Sequence, residues 1–154
     1  MLQTIENPNA AEIRWLGESL DRLRAFAKKP AGHQFSLAEL DSAYRDWIDS
    51  RSQEDPNPMI NSFGTAFGQH LVEHLSMTWS VVTGEQGTEM AVCGQPGDIL
   101  VFPPNLVAKR FVAKEVGFFE TLYGAMARDV TDLRRKAQPR PWWKFWGSRY
   151  PPAA

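Results

Sequence analysis

Two histidines and a glutamate lie within one pentad, HLVEH, at positions 70–74. On a helix, side chains at i and i+4 share a face, so His70 and His74 can bind the same metal ion. Glu73 would then act as a general base, as in the inverted zinc-peptidase motif. A catalytic zinc needs a third protein ligand, for which Glu120 is the best-placed residue. The alternative, which we adopt, is that both histidines are ordinary polar residues of an amphipathic helix, with no catalytic or metal site.

The pentad belongs to the run 59–82, which predicts a helix that is followed directly by a strand. Apolar residues recur at three- and four-residue spacing up to Leu75, which is typical of a helix that buries one face. After Ser76 the side chains alternate in character with a period of two, as in a strand. Asn57 and Pro58 predict the helix start, because Asn caps free amides and proline at the first helical position loses no hydrogen bond.

Gly64 and Gly68 lie one turn apart within this helix. Each costs roughly 1 kcal/mol relative to alanine in a helix interior, so both need a reason. We expect close approach of another backbone, from the sheet or the C-terminal helix; the alternative is a ligand that rests on bare backbone. Together with Phe67, Trp79 and Pro103, these glycines are assigned a structural role.

The rest of the chain predicts an α+β domain with a three-stranded antiparallel meander. Two N-terminal helices precede the central Gly-containing helix, and a long C-terminal helix follows the sheet. Residues 1–8 are expected to be frayed. The stretch 105–112 favours a helical turn over an edge strand, because the prolines before it are typical of a helix entry. The other predicted helices are 10–28, 37–50 and 116–136, and the predicted strands are 77–82, 89–93 and 99–102.

Composition narrows the classes of function. The chain has 154 residues and a formal charge of −1, which gives no general reason to expect nucleic acid as a partner. No apolar run approaches the roughly 20 residues that span a bilayer, and the start lacks the features of a secretory signal. The single cysteine, Cys93, suits a reducing compartment. We therefore expect a cytoplasmic protein without a cofactor, with one domain over 1–137 and a tail over 138–154.

The tail is basic and rich in tryptophan. No acidic residue follows Asp132. The aromatic side chains of the tail would promote association if they were exposed to water. Three outcomes stay open: the tail folds back over an apolar groove of its own domain, it binds another protein or a second copy, or it makes peripheral contact with an anionic membrane surface. The predicted partner-binding residues of the tail are Trp142, Trp143, Lys144, Phe145 and Trp146.

Four short patterns point to one family. They are Gly64-x-x-Phe67-Gly68, Trp79-x-Val81-Val82-Thr83, Phe102-Pro103 and Lys109-Arg110. Over about residues 55–130 the chain resembles a bacterial family known as domain of unknown function 3806. The resemblance implies a small, often single-domain protein with no established reaction. Because Lys109 and Arg110 take part in it, this pair is our first candidate for a polar contact, with a partner or internally with Asp98 or Glu120.

These observations favour a non-enzymatic protein that binds another protein or a second copy of itself, in the manner of an immunity or adaptor protein. The alternative is a small zinc-dependent hydrolase that uses the histidine pentad. The sequence contains neither a nucleotide-binding loop nor a nucleophile elbow. Protein binding is therefore the function that the sequence favours.

Overall fold

The computed structural model describes residues 2–96 and 99–137. Helices and strands follow one another with short connections. None of the helices in these ranges is both long and apolar enough to cross a bilayer. In chain order the elements are β1 (Thr4–Glu6), α1 (Ala10–Phe26), α2 (Leu37–Asp49), α3 (Asn57–Leu75), β2 (Thr78–Gly84), β3 (Gly87–Gly94), β4 (Ile99–Val101), α4 (Pro103–Val112) and α5 (Phe119–Ala137).

The first two helices begin with capping boxes, in which a cap residue and the third helical residue bond to each other's backbone amides. Asn9 accepts a hydrogen bond from the amide of Glu12 at 2.9 Å, and the carboxylate of Glu12 accepts one from the amide of Asn9. Ser36 and Glu39 form the same arrangement at the start of α2. The Ser-x-x-Glu pattern at positions 36–39 is the sequence signature of such a box, and the structure contains it.

The predicted start of the central helix is wrong by one residue. Helix α3 begins at Asn57 and follows Pro56, and no side chain caps it. The carboxylate of Asp55 accepts a hydrogen bond from the amide of Asn57 at 3.0 Å, which is a local turn of the kind that Asp favours. Because this turn brings Asn57 into the helix, Asn57 does not act as the cap.

Within residues 2–96 and 99–137 the sheet has four antiparallel strands in the order β1-β2-β3-β4, whereas the sequence predicts three. The meander of β2, β3 and β4 is confirmed. The expectation that residues 1–8 are frayed is wrong, because Thr4, Ile5 and Glu6 pair with β2, with Ile5 opposite Val82. A strand of three residues is too short to show a recognisable alternation, and its stability depends on its distant partner.

The segment that the sequence leaves ambiguous forms the helix α4, as we predict. It starts at Pro103, where Pro103 and Pro104 occupy first-turn positions that need no amide bond. Helix α5 starts at Phe119, three residues later than predicted. Gly117 before it has a positive φ of 68°, and the carboxylate of Asp41 accepts a hydrogen bond from the amide of Phe119 at 3.0 Å. Asp41 therefore joins α2 to the first turn of α5.

Helix α3 lies at the centre of the fold and packs against the other four helices and the sheet. Its residues Phe63, Phe67 and Leu71 are fully buried. Tyr44 of α2 packs edge-on against Phe63 and against Phe119 of α5, with ring centroids 5.2 Å and 6.0 Å away. Aromatic rings of this size supply much of the burial energy of a core, so this cluster joins α2, α3 and α5.

Gly64 and Gly68 allow close approach on one side of α3. A β-carbon built on Gly64 would lie 2.6 Å from the Cα atom of Pro104, closer than real β-carbons come to other atoms. A β-carbon on Gly68 would overlap the ring of Trp79 and lie 3.0 Å from Cγ of Pro103. The backbone beside Gly64 therefore belongs to α4 and not, as predicted from the sequence, to the sheet or the C-terminal helix.

Candidate functional site

The histidine pentad lies in the last two turns of α3. The rings of His70 and His74 are 4.1 Å apart between centroids, and Tyr123 of α5 packs edge-on against His70 at 5.0 Å. His70 is half-buried, and His74 is exposed. The carboxylate of Glu73 accepts a hydrogen bond from the amide group of Gln69 at 3.0 Å. The pentad thus brings two imidazoles together, while its glutamate bonds along its own helix.

A metal centre would need more than these two nitrogen ligands, because catalytic zinc has three protein ligands. Within the described ranges there is no group of three or more His, Cys, Asp or Glu side chains that could hold a metal ion. Glu120, the third ligand of the hydrolase alternative, is an exposed residue in the first turn of α5 and does not complete such a group. Within the described residues the geometry provides a pair of imidazoles and not a complete set of metal ligands.

Burial lowers the pKa of His70 below its ordinary value, and the neighbouring His74 lowers it further. A hydrogen bond with the backbone of Phe35 and the charge of Glu73 act in the opposite direction but do not cancel these effects. His70 is therefore mostly neutral at pH 7, and it is harder to protonate in the folded protein than in the unfolded chain.

We expect the free energy of unfolding to decrease as the pH falls from about 6.5 towards the folded pKa of His70. The unfolded state binds the proton more readily in this window, so acid favours unfolding. His70→Gln removes the group and should flatten the dependence between pH 7 and pH 5. Urea denaturation at a series of pH values measures this. His74→Gln, a change at the exposed partner, should keep most of the slope; equal slopes in the wild type and His70→Gln would contradict the prediction.

A second polar cluster joins the end of α1 to the start of α2. One carboxylate oxygen of Glu39 lies 2.7 Å from Nε2 of His33 and 3.1 Å from Nζ of Lys29. Partial burial would raise the pKa of Glu39, but hydrogen bonds from the backbone of Ser36 and from Lys29, His33 and the Ser36 hydroxyl lower it to about 2. Because its oxygens already bind these groups, Glu39 holds the two helices together.

The predicted contact pair Lys109-Arg110 lies in the last turn of α4. Arg110 forms an ion pair with Glu115, with Nε 3.2 Å from Oε2, and not with the expected Glu120. Asp98, the other expected partner, is outside the described residues. Lys109 is exposed and borders a cavity of about 230 Å³. The tail residues Trp142, Trp143, Lys144, Phe145 and Trp146 also lie outside the described residues.

A groove of about 830 Å³ lies between the C-terminal ends of α2 and α4. Its centre is a stacked aromatic pair, Trp47 of α2 and Phe111 of α4, whose ring centroids are 5.3 Å apart with an interplanar angle of 24°. Aliphatic side chains extend this floor on both sides. We call this surface the α2–α4 groove, and its floor consists of Trp47, Ile48, Met59, Phe111, Val112 and Val116.

Exposed apolar side chains and charged side chains both line this groove. The side chains of Val112 and Val116 are 80% and 45% exposed. The rim carries charges of both signs, from the loop after α2 and the loop after α4. The charged rim residues are Arg51, Glu54, Asp55, Lys114 and Glu115. An apolar centre within a polar rim is the usual composition of a protein interface.

Left-handed residues end the two helices that form the walls of the groove. Arg51 and Lys114 have φ angles of 50° and 58°, a backbone conformation that residues other than glycine rarely adopt. After α4 the amide of Glu115 donates to the carbonyl of Arg110 at 3.0 Å, and the amide of Lys114 donates to that of Phe111 at 3.1 Å. This closes the helix as in a glycine C-cap. The backbone therefore turns sharply and presents Lys114 and Glu115 at the rim.

Sequence reasoning missed the α2–α4 groove. Its two aromatic residues come from helices that are far apart in the chain, and Trp47 by itself fits the buried stripe of α2. The signal that was available is the pair Val112 and Val116, which are apolar residues next to charged ones at the end of a helix. Their exposure becomes apparent only when the packing of Phe111 against Trp47 is known.

The fold and the groove define a small α+β domain built around a glycine-containing helix, with an exposed apolar groove at one end. The chain belongs to the family described as Domain of unknown function (DUF3806), whose model matches residues 40–122, just over half of the chain. The match starts and ends earlier than the range of about 55–130 inferred from the sequence patterns. It includes most of α2 and all of α3 and α4, so the α2–α4 groove and the histidine pentad lie within it.

A crystal structure of a protein from Bacteroides thetaiotaomicron VPI-5482 is similar to this chain, with a TM-score of 0.64 and 10% sequence identity. The alignment covers 82% of this chain and 48% of the other, so this chain spans about half the length of that protein. At this identity the similarity shows the fold alone. The comparison with curated proteins gives no match.

Proposed function

We propose that the chain is a non-enzymatic protein-binding domain that binds a partner protein through the α2–α4 groove. The exposure of Val112 and Val116 beside the stacked Trp47 and Phe111 carries this proposal. Contiguous apolar surface in water is unfavourable, and where it surrounds an aromatic pair it is typical of a binding site. Burial of these side chains by a partner would remove the free-energy cost of exposing their apolar surface to water.

The shape and charges of the groove indicate the kind of partner. The volume of about 830 Å³ can receive one or two bulky apolar side chains, which would pack on the aromatic floor. The rim offers Arg51 and Lys114 to acidic groups and Glu54 and Asp55 to basic groups. Such a mixed rim favours a segment with charges on both sides of its apolar anchor, and it would fix the register of that segment. We therefore assign the groove to a segment of a different protein.

One member of the predicted contact pair Lys109-Arg110 acts on this groove, because Arg110 holds the rim residue Glu115 by an ion pair at 3.2 Å. The proposal extends to a cytoplasmic protein with an immunity- or adaptor-like role. The single cysteine and the formal charge of −1 support this extension. Such a role requires recognition of one partner, which a groove with a charged rim provides.

Val112→Glu should reduce peptide binding by about tenfold or more, because it places a charge in the apolar floor. The probe is a set of peptides selected from a random 12-residue phage library against the full-length chain. Affinities are then measured by fluorescence anisotropy. Since the side chain of Val112 is 80% exposed, the variant should keep the wild-type melting temperature. Ile13→Glu, the same kind of change at a 59% exposed residue of α1, is the matched control and should bind normally.

The peptides should share a bulky apolar residue flanked by charges, and their NMR footprint should include Phe111 and Val116. Equal affinity for wild type and Val112→Glu, or a footprint on another surface, would overturn the proposal. Light scattering over a range of protein concentrations tests a second copy as the occupant. Self-association that Val112→Glu abolishes would show that the groove binds this same chain, which contradicts the assignment to a different protein.

A further inference from the structure

The sheet has an outer face, opposite α3, and several of its side chains are buried. The indole of Trp79 packs on Gly68 of α3, and Val92, its partner in the register, belongs to the core around that helix. Alternate residues of β2 and β3 must point to the other side. Four of these outer-face residues are Ser80, Val82, Ala91 and Cys93, with exposed fractions of 5%, 4%, 0% and 7%.

Among the helices of residues 2–96 and 99–137, none packs extensively on the outer face. Helix α3 is the helix that packs most extensively on β2 and β3, and it lies on the inner face. Val82, Ala91 and Cys93 are absent from the hydrophobic cluster around α3. A side chain as small as that of Ala91 becomes fully inaccessible only beneath another layer of atoms. A further layer of atoms therefore lies over the part of the outer face around Ala91.

Helix α5 ends close to one end of the sheet. The guanidinium of Arg134 donates to the carbonyl of Gln95 at 3.0 Å and to the carbonyl of Ser76 at 3.3 Å. Ser76 lies just before β2, and Gln95 lies just after β3. Helix α5 therefore ends near the end of the sheet at which β2 begins and β3 ends.

The lengths involved favour the outer face over the α2–α4 groove. An extended chain covers at most about 3.5 Å per residue, so Trp142 can lie up to about 17 Å from Ala137, and Trp146 up to about 31 Å. β3 from Cys93 back to Glu89 is only about 13 Å long. The groove lies near the opposite end of α5, about 27 Å away along the helix axis, which is beyond the reach of Trp142 and close to the limit for Trp146.

We propose that residues 138–154 of the same chain cover the outer face of the sheet, with Trp142, Trp143 and Trp146 packed on it. Ser80, Ala91 and Cys93 are small, so together they form a flat surface on which indole rings can pack closely. The hairpin end of the sheet carries Glu85 and Glu89, and the tail carries basic residues with no acidic ones. This charge pattern complements the apolar contact. The tail then completes the domain as the second layer on its sheet.

Cys93 is a native reporter of this cover, because it is the single cysteine and its side chain lies on the outer face. In the full-length chain its thiol should react slowly with Ellman's reagent under native conditions. A variant with Trp142→Ser, Trp143→Ser and Trp146→Ser should react at least about tenfold faster, because access no longer needs an opening step. Leu133→Ser, at a 47% exposed position of α5, is the control and should leave the rate unchanged. An unchanged rate in the triple variant would overturn the proposal.

A measurement on the unaltered chain tests the same contact even if the triple variant does not fold. Nuclear Overhauser effects should connect indole protons of the tail to the methyl groups of Val82 and Ala91. Their absence would overturn the proposal. In a mixture of differently labelled chains, the effects should arise within one chain. Effects that arise only between chains would assign the cover to a second copy and would refute a cover from the same chain.

Discussion

Gly64→Ala is expected to lower the free energy of unfolding by about 2–3 kcal/mol, even though alanine is the better helix former by about 1 kcal/mol. The added methyl group would lie 2.6 Å from Cα and 2.7 Å from the nitrogen of Pro104. Both are backbone atoms at the start of α4, so the helix itself must move away from α3. Such a movement would also disturb Pro103, which packs near Gly68.

Urea denaturation measures this loss, and the chain offers two matched controls. Gly17 in α1 and Gly124 in α5 are also helical, and a β-carbon on either would meet no atom within 4 Å. Gly17→Ala and Gly124→Ala should therefore stabilise the protein by up to about 1 kcal/mol each. The opposite signs isolate the contact with α4 from helix propensity. If Gly64→Ala stabilised the protein as well, the close packing of α3 on α4 would be incorrect.

Phe67→Ala should be the most damaging single substitution of the set, with a loss of about 4 kcal/mol. Phe67 is fully buried in α3, and its ring lies 5.7 Å from that of Phe119 between centroids. Truncation removes apolar burial and leaves a cavity among residues of three helices that cannot all move inwards. Since small domains are stable by only about 5–15 kcal/mol, this loss is a large share of the total.

The midpoint of urea denaturation should fall. The slope of the free energy of unfolding against urea concentration should stay constant, because the surface exposed on unfolding is nearly the same. Leu133→Ala provides the comparison, since the side chain of Leu133 is 47% exposed on α5 and should contribute less than about 0.5 kcal/mol. Similar losses in the two variants would mean that Phe67 is not part of the central core.

The sequence predicts those features of the fold that depend on neighbours along the chain. Apolar spacing and the Ser36 cap predict α2, and the change of period after Ser76 predicts β2. β1 escapes prediction because its three residues are ordered only by pairing with residues 81–83. The predicted start of α3 is one residue too late. The side chain of Asp55 bonds to the amide of Asn57, which is the first helical residue and not the cap.

The candidate site was harder to predict than the fold. The pentad correctly indicates two adjacent imidazoles, but residue types alone cannot supply the position of a third ligand. The α2–α4 groove depends on the stacking of Trp47 on Phe111 and on the left-handed backbone of Lys114. Neither has a local signature, because one joins distant helices and the other places lysine where glycine is usual.

In the part of the chain that the structure describes, both edge strands of the sheet are three residues long, β1 on one side and β4 on the other. The outward amides and carbonyls of an edge strand can pair with an extended segment of another chain. Long edge strands therefore promote the formation of fibrils. Strands this short offer very few such groups. The brevity of β1, which hides it from the sequence, thus also protects the folded protein against growth into amyloid-like polymers.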